Sequence, residues 1–214
     1  MDIKKAGVDY SLCLVTDRDL MSAARIEDAV EQAILGGVTM VQLREKSISG
    51  AEFFRRAQAL HAVTDRHNVP LIINDRVDIA LAVSAAGVHV GQSDIPASAV
   101  RRLVGGGMIV GVSASNAEEA LRAQADGADY IGVGAMFSTG TKTDAKIVSK
   151  SELALIRRAV TVPIMIIGGI SALTLPDFDG MDIAGIAVVS AILSQQNIRQ
   201  AAEELKRVFL AGRA

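Results

Sequence analysis

Residues 70–94 have the sequence PLIINDRVDIALAVSAAGVHVGQSD, and this stretch contains one strand–helix–strand unit. The short apolar run 70–74 is followed by helical spacing near 77–84 and by a second β-branched run at 87–90. Each apolar run leads directly into polar residues. Strands that alternate with helices in this way form a parallel sheet, because each helix returns the chain to the edge where the previous strand began.

The same alternation continues along the chain without a linker or a low-complexity segment. We predict eight strands, near 11–16, 38–43, 70–74, 87–90, 108–113, 130–133, 163–167 and 183–188. We predict helices near 22–35, 49–66, 77–84, 97–103, 117–125, 151–160, 173–178 and 197–210, of which 173–178 is expected to be irregular because Pro176 interrupts it.

Eight such units in 214 residues predict an α/β protein with a single-domain (β/α)8 TIM barrel. A doubly wound open sheet is the competing architecture, and it is disfavoured because no G-x-G-x-x-G motif opens the first helix. The whole of 1–214 is predicted to be one domain. Within it, 1–10 is an N-terminal extension and 197–214 is a C-terminal helix and tail.

The composition excludes several functional classes. A net charge of −2 provides no basic excess for a nucleic acid. The single cysteine, Cys13, excludes an internal disulfide framework and a zinc site made only of cysteines. With no signal peptide visible and no apolar run of about 18 residues, we predict a cytoplasmic protein without a membrane partner. The sequence leaves open whether the chain forms a homo-oligomer.

Polar residues are concentrated after the predicted strands, at the end of a barrel where active sites form. In the segment 41–46, VQLREK, the two-residue period of a strand places Gln42, Arg44 and Lys46 on one face. Asp75 and Asp94 follow the third and fourth strands. Two carboxylates beside cations suit Mg²⁺ bound to a polyphosphate. Solvated charges are the alternative for 41–46, and helix caps are the alternative for Asp75 and Asp94.

A second set of polar loops follows the later strands. Ser113 ends the fifth strand, where it could contact an anion or cap the next helix. The segment 132–144, GVGAMFSTGTKTD, could wrap an anion or form a lid. Gly168 and Gly169 follow the seventh strand and Ser190 follows the eighth, where barrels commonly bind phosphate; a tight turn is the alternative for the glycines. The strand ends therefore predict two anion sites in one barrel mouth.

Seven motifs, in this order, resemble the thiamine phosphate synthase family. They are VQLREK at 41–46, INDR at 73–76, HVGQSD at 89–94, GVS at 111–113, TGTK at 139–142, IGGI at 167–170 and VVSAI at 188–192. The resemblance extends from about Leu14 to Leu193. It implies a (β/α)8 transferase that joins hydroxymethylpyrimidine diphosphate to thiazole phosphate, giving thiamine phosphate and diphosphate, with Mg²⁺ as cofactor.

The resemblance also implies roles for individual residues. Asp75 and Asp94 would bind Mg²⁺. The pyrimidine diphosphate would be held by Gln42, Arg44, Lys46, Asn74, Ser113 and Lys142. The thiazole phosphate would be held by Thr139, Thr141, Gly169, Val189 and Ser190. Catalysis would depend on stabilising the departing diphosphate, with Arg44, Lys46, Ser113 and Lys142 as the catalytic residues.

Three other functions remain alternatives. A thiazole tautomerase would share the barrel and the phosphate loops but would need neither Mg²⁺ ligands nor a diphosphate clamp. A sugar-phosphate epimerase would need paired acid and base groups, and the cations near Asp75 and Asp94 would weaken these carboxylates as bases. A non-catalytic barrel that senses a phosphate ligand would retain the loops and lose the metal site.

Overall fold

A computed structural model describes residues 7–138 and 146–213, and these form a closed barrel of parallel strands. The strands occur in sequence order and the last pairs with the first, with Cys13 opposite Ala187. The bounds are β1 Leu12–Val15, β2 Met40–Leu43, β3 Leu71–Asn74, β4 Gly87–Val90, β5 Ile109–Ala114, β6 Tyr130–Val133, β7 Ile164–Ile167 and β8 Gly185–Val188. The predicted (β/α)8 barrel is confirmed.

Helices cover the outside of the barrel. Their bounds are α1 Ile26–Leu35, α2 Gly50–Arg66, α3 Val77–Ala82, α4 Ala97–Val104, α5 Ala117–Ala125, α6 Lys150–Ala159, α7 Ser190–Leu193 and α8 Ile198–Ala211. Side-chain caps fix several of their starts; Ser49, for example, accepts a hydrogen bond from the amide of Glu52. In the part of the chain that the structure describes, no helix is both long and apolar enough to cross a membrane.

The alternation of side chains along each strand divides the core into two parts. Val41 and Leu43 point outward and are fully buried beneath the helices. Met40 points inward, where it joins Cys13 and other buried residues in the barrel interior. Burial raises the pKa of the Cys13 thiol to about 12, so this cysteine is an inert part of the packing.

Two predicted helices differ from the observed ones. The first begins at Ile26 rather than at Ser22, because Ser22 bonds the carbonyls of Leu193 and Gln195 near α7. The predicted helix at 173–178 is a short 3-10 helix, Leu175–Phe178, with proline in its first turn. Proline lacks the amide that a longer helix would need, so the expected irregularity is present.

Candidate active site

Three charged side chains meet where β2, β3 and β4 end. The Nζ atom of Lys46 lies 2.6 Å from Oδ2 of Asp75. The Asp75 carboxyl in turn lies in hydrogen-bonding contact with Asp94. Burial, together with this neighbouring carboxyl, raises the pKa of Asp94, although the Gly91 amide that donates to Asp94 over 2.8 Å opposes the shift. The structure thus brings together Asp75 and Asp94, the two carboxylates predicted to follow separate strands. Lys46, one of the predicted cations, lies beside them.

The helix-cap alternatives do not hold for these residues. The residue that precedes α3 is Arg76, and Pro96 precedes α4, and neither provides a side-chain cap. Asp75 itself adopts a left-handed backbone conformation with φ of 63°. Such a conformation costs a non-glycine residue free energy of about 1–3 kcal/mol and persists where the surroundings impose it, which is common at functional sites.

The structure also shows where the side chains predicted to share one face of the second strand, Gln42, Arg44 and Lys46, lie. Gln42 is buried and hydrogen-bonds Tyr130 inside the barrel. The guanidinium of Arg44 lies 3.8 Å from the carboxylate of Asp17, which follows β1. A cleft of about 250 Å³ lies between these two loops, with Arg44, Lys46 and Asp17 in its lining. Asp17 was not predicted as a site residue, although it directly follows the first predicted strand, 11–16.

Ser113 lies near the end of β5 and does not cap a helix, since Asn116 caps α5. Its hydroxyl is 2.9 Å from Nε2 of His89, and its carbonyl accepts a hydrogen bond of 2.6 Å from Gln92. Asn74 ends β3 beside His89 in the strand register and is buried. Ser113 and Asn74 therefore belong to the same arc of the rim as the charged cluster.

The glycine and serine loops lie on the far side of the mouth. β7 and β8 are neighbours in the barrel, and in the closed order of eight strands they lie opposite β3 and β4. Gly168 and Gly169 follow β7 with φ of 94° and 67°. The exposed Ser190 begins α7, whose preceding residue, Val189, provides no side-chain cap. The first-turn amides of α7 are therefore not satisfied by a capping side chain, and they suit an anion.

The remaining predicted residues, Thr139, Thr141 and Lys142, lie outside the described part of the chain. Among the residues that are described, no group of three or more His, Cys, Asp and Glu side chains converges as a metal site would require. Mg²⁺ does not need such a group, because it usually takes one or two carboxylates with substrate phosphates and waters.

Comparison with known proteins assigns the chain to a family. The family model described as thiamine monophosphate synthase matches residues 12–192. The chain belongs to this family. The thiamine-phosphate synthase of Clostridium beijerinckii is 57% identical over 96% of this chain and 99% of its own length. That of Ruminiclostridium cellulolyticum is 56% identical over 96% of this chain and 98% of its own.

A solved structure supports the same family. Thiamine phosphate pyrophosphorylase from Pyrococcus furiosus has a TM-score of 0.88 and 32% identity, and the match covers 97% of this chain and 98% of that one. The predicted thiamine phosphate synthase family and enzyme class are confirmed.

Proposed function

We propose that this member of the thiamine monophosphate synthase family joins hydroxymethylpyrimidine diphosphate to thiazole phosphate, and that the diphosphate binds where β2, β3 and β4 end. The observation that carries this proposal is the cluster of Lys46, Asp75 and Asp94. A thiazole tautomerase or a phosphate-sensing barrel would have no use for such a cluster, because neither handles a diphosphate leaving group.

The diphosphate end of the substrate would meet several cations and donors. Lys46 and Arg44 lie on the rim with side chains that already face carboxylates, Asp75 and Asp17. These pairs hold the cations in place before substrate arrives, so little reorganisation accompanies binding. Gln42, Asn74 and Ser113 would add neutral hydrogen bonds from neighbouring strands, and Lys142 would contribute a further charge.

The two carboxylates fit a Mg²⁺ ion. Burial raises the pKa of Asp94, and repulsion by the adjacent Asp75 carboxylate adds to that shift. Asp75 and Asp94 would hold the ion, and phosphate oxygens and waters would complete its ligands. Bound there, Mg²⁺ would neutralise charge on the diphosphate.

The reaction would proceed without a nucleophile from the protein. The bond between the pyrimidine CH₂ carbon and the diphosphate oxygen breaks, and the diphosphate leaves with the electron pair. The electron-rich aminopyrimidine supports the resulting cation, and the thiazole nitrogen donates its lone pair to form the C–N bond. Lys46 and Arg44 stabilise the departing charge, and the barrel mouth positions both reactants and excludes water.

The thiazole phosphate would bind at the loops after β7 and β8. Gly169 and Ser190 are exposed there, and Val189 lies between β8 and α7. Backbone amides and a serine hydroxyl suit a phosphate monoester. Thr139 and Thr141 are proposed to contact the same substrate. Small molecules would be the partners, and a cytoplasmic location stays a prediction.

A diphosphate-release assay tests the proposed reaction. We expect release only when both precursors and Mg²⁺ are present, and we expect chelation of the metal to abolish it. Thiamine phosphate should form in equal amount to diphosphate. Isomerisation of the thiazole alone, with no diphosphate released, would contradict the proposal.

Ser190→Ala should weaken binding of the thiazole phosphate more than that of the pyrimidine. Losing a hydrogen bond to a charged group costs about 1.5–3 kcal/mol, so we expect KM for the thiazole phosphate to rise about tenfold or more. Ser194→Ala is a matched control at the other end of α7, where the hydroxyl bonds the carbonyl of Leu20. Equal KM changes for both substrates in Ser190→Ala would refute the two-site arrangement.

A further inference from the structure

A chain of buried polar groups crosses the barrel interior and ends at Ser113. Gln42 on β2 hydrogen-bonds the hydroxyl of Tyr130 on β6. The Tyr130 hydroxyl lies 2.9 Å from Nδ1 of His89, and the other ring nitrogen of His89 lies 2.9 Å from Oγ of Ser113. Gln42, Tyr130 and His89 are at most 8% exposed. Tyr130 begins its strand, so a search for polar residues after strand ends does not predict it.

Two glycines make room for this chain of hydrogen bonds. A Cβ atom at Gly111 would overlap the ring of Tyr130 and lie 2.5 Å from Nδ1 of His89. A Cβ atom at Gly132 would lie 3.1 Å from Cε1 of His89. The backbones of β5 and β6 therefore pack directly against the rings of Tyr130 and His89. This close fit leaves the imidazole little freedom to rotate away from Tyr130 or Ser113.

The direction of each hydrogen bond depends on the histidine tautomer. If Nε2 carries the proton, it donates to Ser113, and the serine hydroxyl is free to donate to a substrate oxygen. If Nδ1 carries the proton, Nε2 accepts a hydrogen bond from the Ser113 hydroxyl, and Ser113 cannot donate to an anion. A diphosphate is an acceptor only, so the first tautomer is the productive one.

Tyr130 selects that tautomer when it donates to Nδ1. Burial in particular raises the pKa of Tyr130 well above its ordinary value, so the phenol keeps its proton. The side chain of Gln42 lies within hydrogen-bonding reach of the Tyr130 oxygen. When its amide N–H donates there, the phenolic O–H is left to point at the imidazole. Every donor in this chain of hydrogen bonds is then directed towards Ser113.

We infer that Tyr130 and His89 are positioning residues that set the Ser113 hydroxyl as a donor to the departing diphosphate. The inference rests on the proposed function, because it needs a diphosphate beside Ser113. Neither side chain exchanges a proton with the substrate in this arrangement. Their effect is to orient one hydroxyl before the substrate arrives, which is how preorganised donors stabilise developing charge.

A double-mutant cycle with Tyr130→Phe and Ser113→Ala tests this inference. We expect each single variant to lower kcat for diphosphate release about tenfold or more, as expected for losing a donor to a charged group. The double variant should be no slower than Ser113→Ala, because Tyr130 acts through that hydroxyl. Tyr10→Phe is the matched control, since its ring packs on Tyr130 with centroids 5.4 Å apart. We expect it to retain wild-type kcat.

The histidine tautomer gives a readout that is independent of activity. Nitrogen-15 NMR of the histidine-labelled chain, with His61 and His67 identified by substitution, should show His89 protonated at Nε2 in the wild type. Tyr130→Phe should shift the population towards Nδ1 protonation. Multiplicative losses in the double-mutant cycle, or a wild-type His89 protonated at Nδ1, would overturn the inference. Failure of the wild type to release diphosphate would instead refute the proposed function, whatever the tautomer.

Discussion

Asp94→Asn is expected to lower Mg²⁺-dependent diphosphate release about 100-fold to 1000-fold while leaving the barrel folded. The substitution removes one of the two charged oxygen ligands proposed for the metal, and bound metal ions contribute several kcal/mol of charge stabilisation. Asparagine keeps a carbonyl oxygen that can still accept the hydrogen bond from Gly91. The measurement is kcat over a Mg²⁺ titration, with thermal unfolding as the check on folding.

Asp75→Asn should have an effect of the same size. Asparagine tolerates the left-handed conformation that Asp75 adopts, so the substitution tests charge rather than backbone geometry. Asp78→Asn is the control, because Asp78 lies three residues further on, in the first turn of α3, where it pairs with Arg76 over 2.6 Å and is largely exposed. We expect its kcat within about twofold of wild type, as for most surface substitutions. Wild-type Mg²⁺ dependence in Asp94→Asn and Asp75→Asn would show that the metal assignment is wrong.

Gly185→Ala is expected to destabilise the closure of the barrel. A Cβ atom there would overlap the backbone carbonyl of Tyr10, next to the pairing of β8 with β1. A backbone atom cannot move aside as the end of a side chain can, so we expect a loss of about 3 kcal/mol or more, at the upper end for overpacking. The melting temperature should then fall by about 6–12 °C in a domain of this size.

Gly106→Ala provides the comparison for that measurement. Gly106 lies in the turn after α4, and nothing lies within 4 Å of the position its Cβ atom would take. Its melting temperature should stay within about 1 °C of wild type, or rise slightly because alanine lowers the entropy of the unfolded chain. Equal melting temperatures for the two variants would mean that the segment before β1 does not pack against β8 as described.

Local patterns were sufficient to predict most of the fold. Val41 and Leu43 alternate with Gln42 because side chains along a strand point to opposite faces, and the structure places them accordingly. The start of α1 was predicted too early, because Ser22 bonds backbone groups near residue 194 that no local pattern reveals. Errors of this kind fall where a distant segment competes for the same hydrogen-bonding groups.

For the candidate site, the sequence indicated which residues follow the strands but left their roles open. Asp75, Asp94 and Ser113 were each compatible with a helix cap, and that ambiguity is inherent in short polar side chains. The structure removes it, since other residues precede α3, α4 and α5. Asp17 is absent from the predicted site, because the residues predicted there follow the second and later strands.

The sequence by itself determined the eight-unit barrel and the rim on which polar side chains gather, because both follow from periodicity within short segments. Only the tertiary structure decided that Lys46 pairs with Asp75, and that His89 joins Tyr130 to Ser113. His89 and Tyr130 are 41 positions apart in the chain. Such contacts depend on the register of neighbouring strands and on the space that Gly111 leaves, which no local pattern encodes.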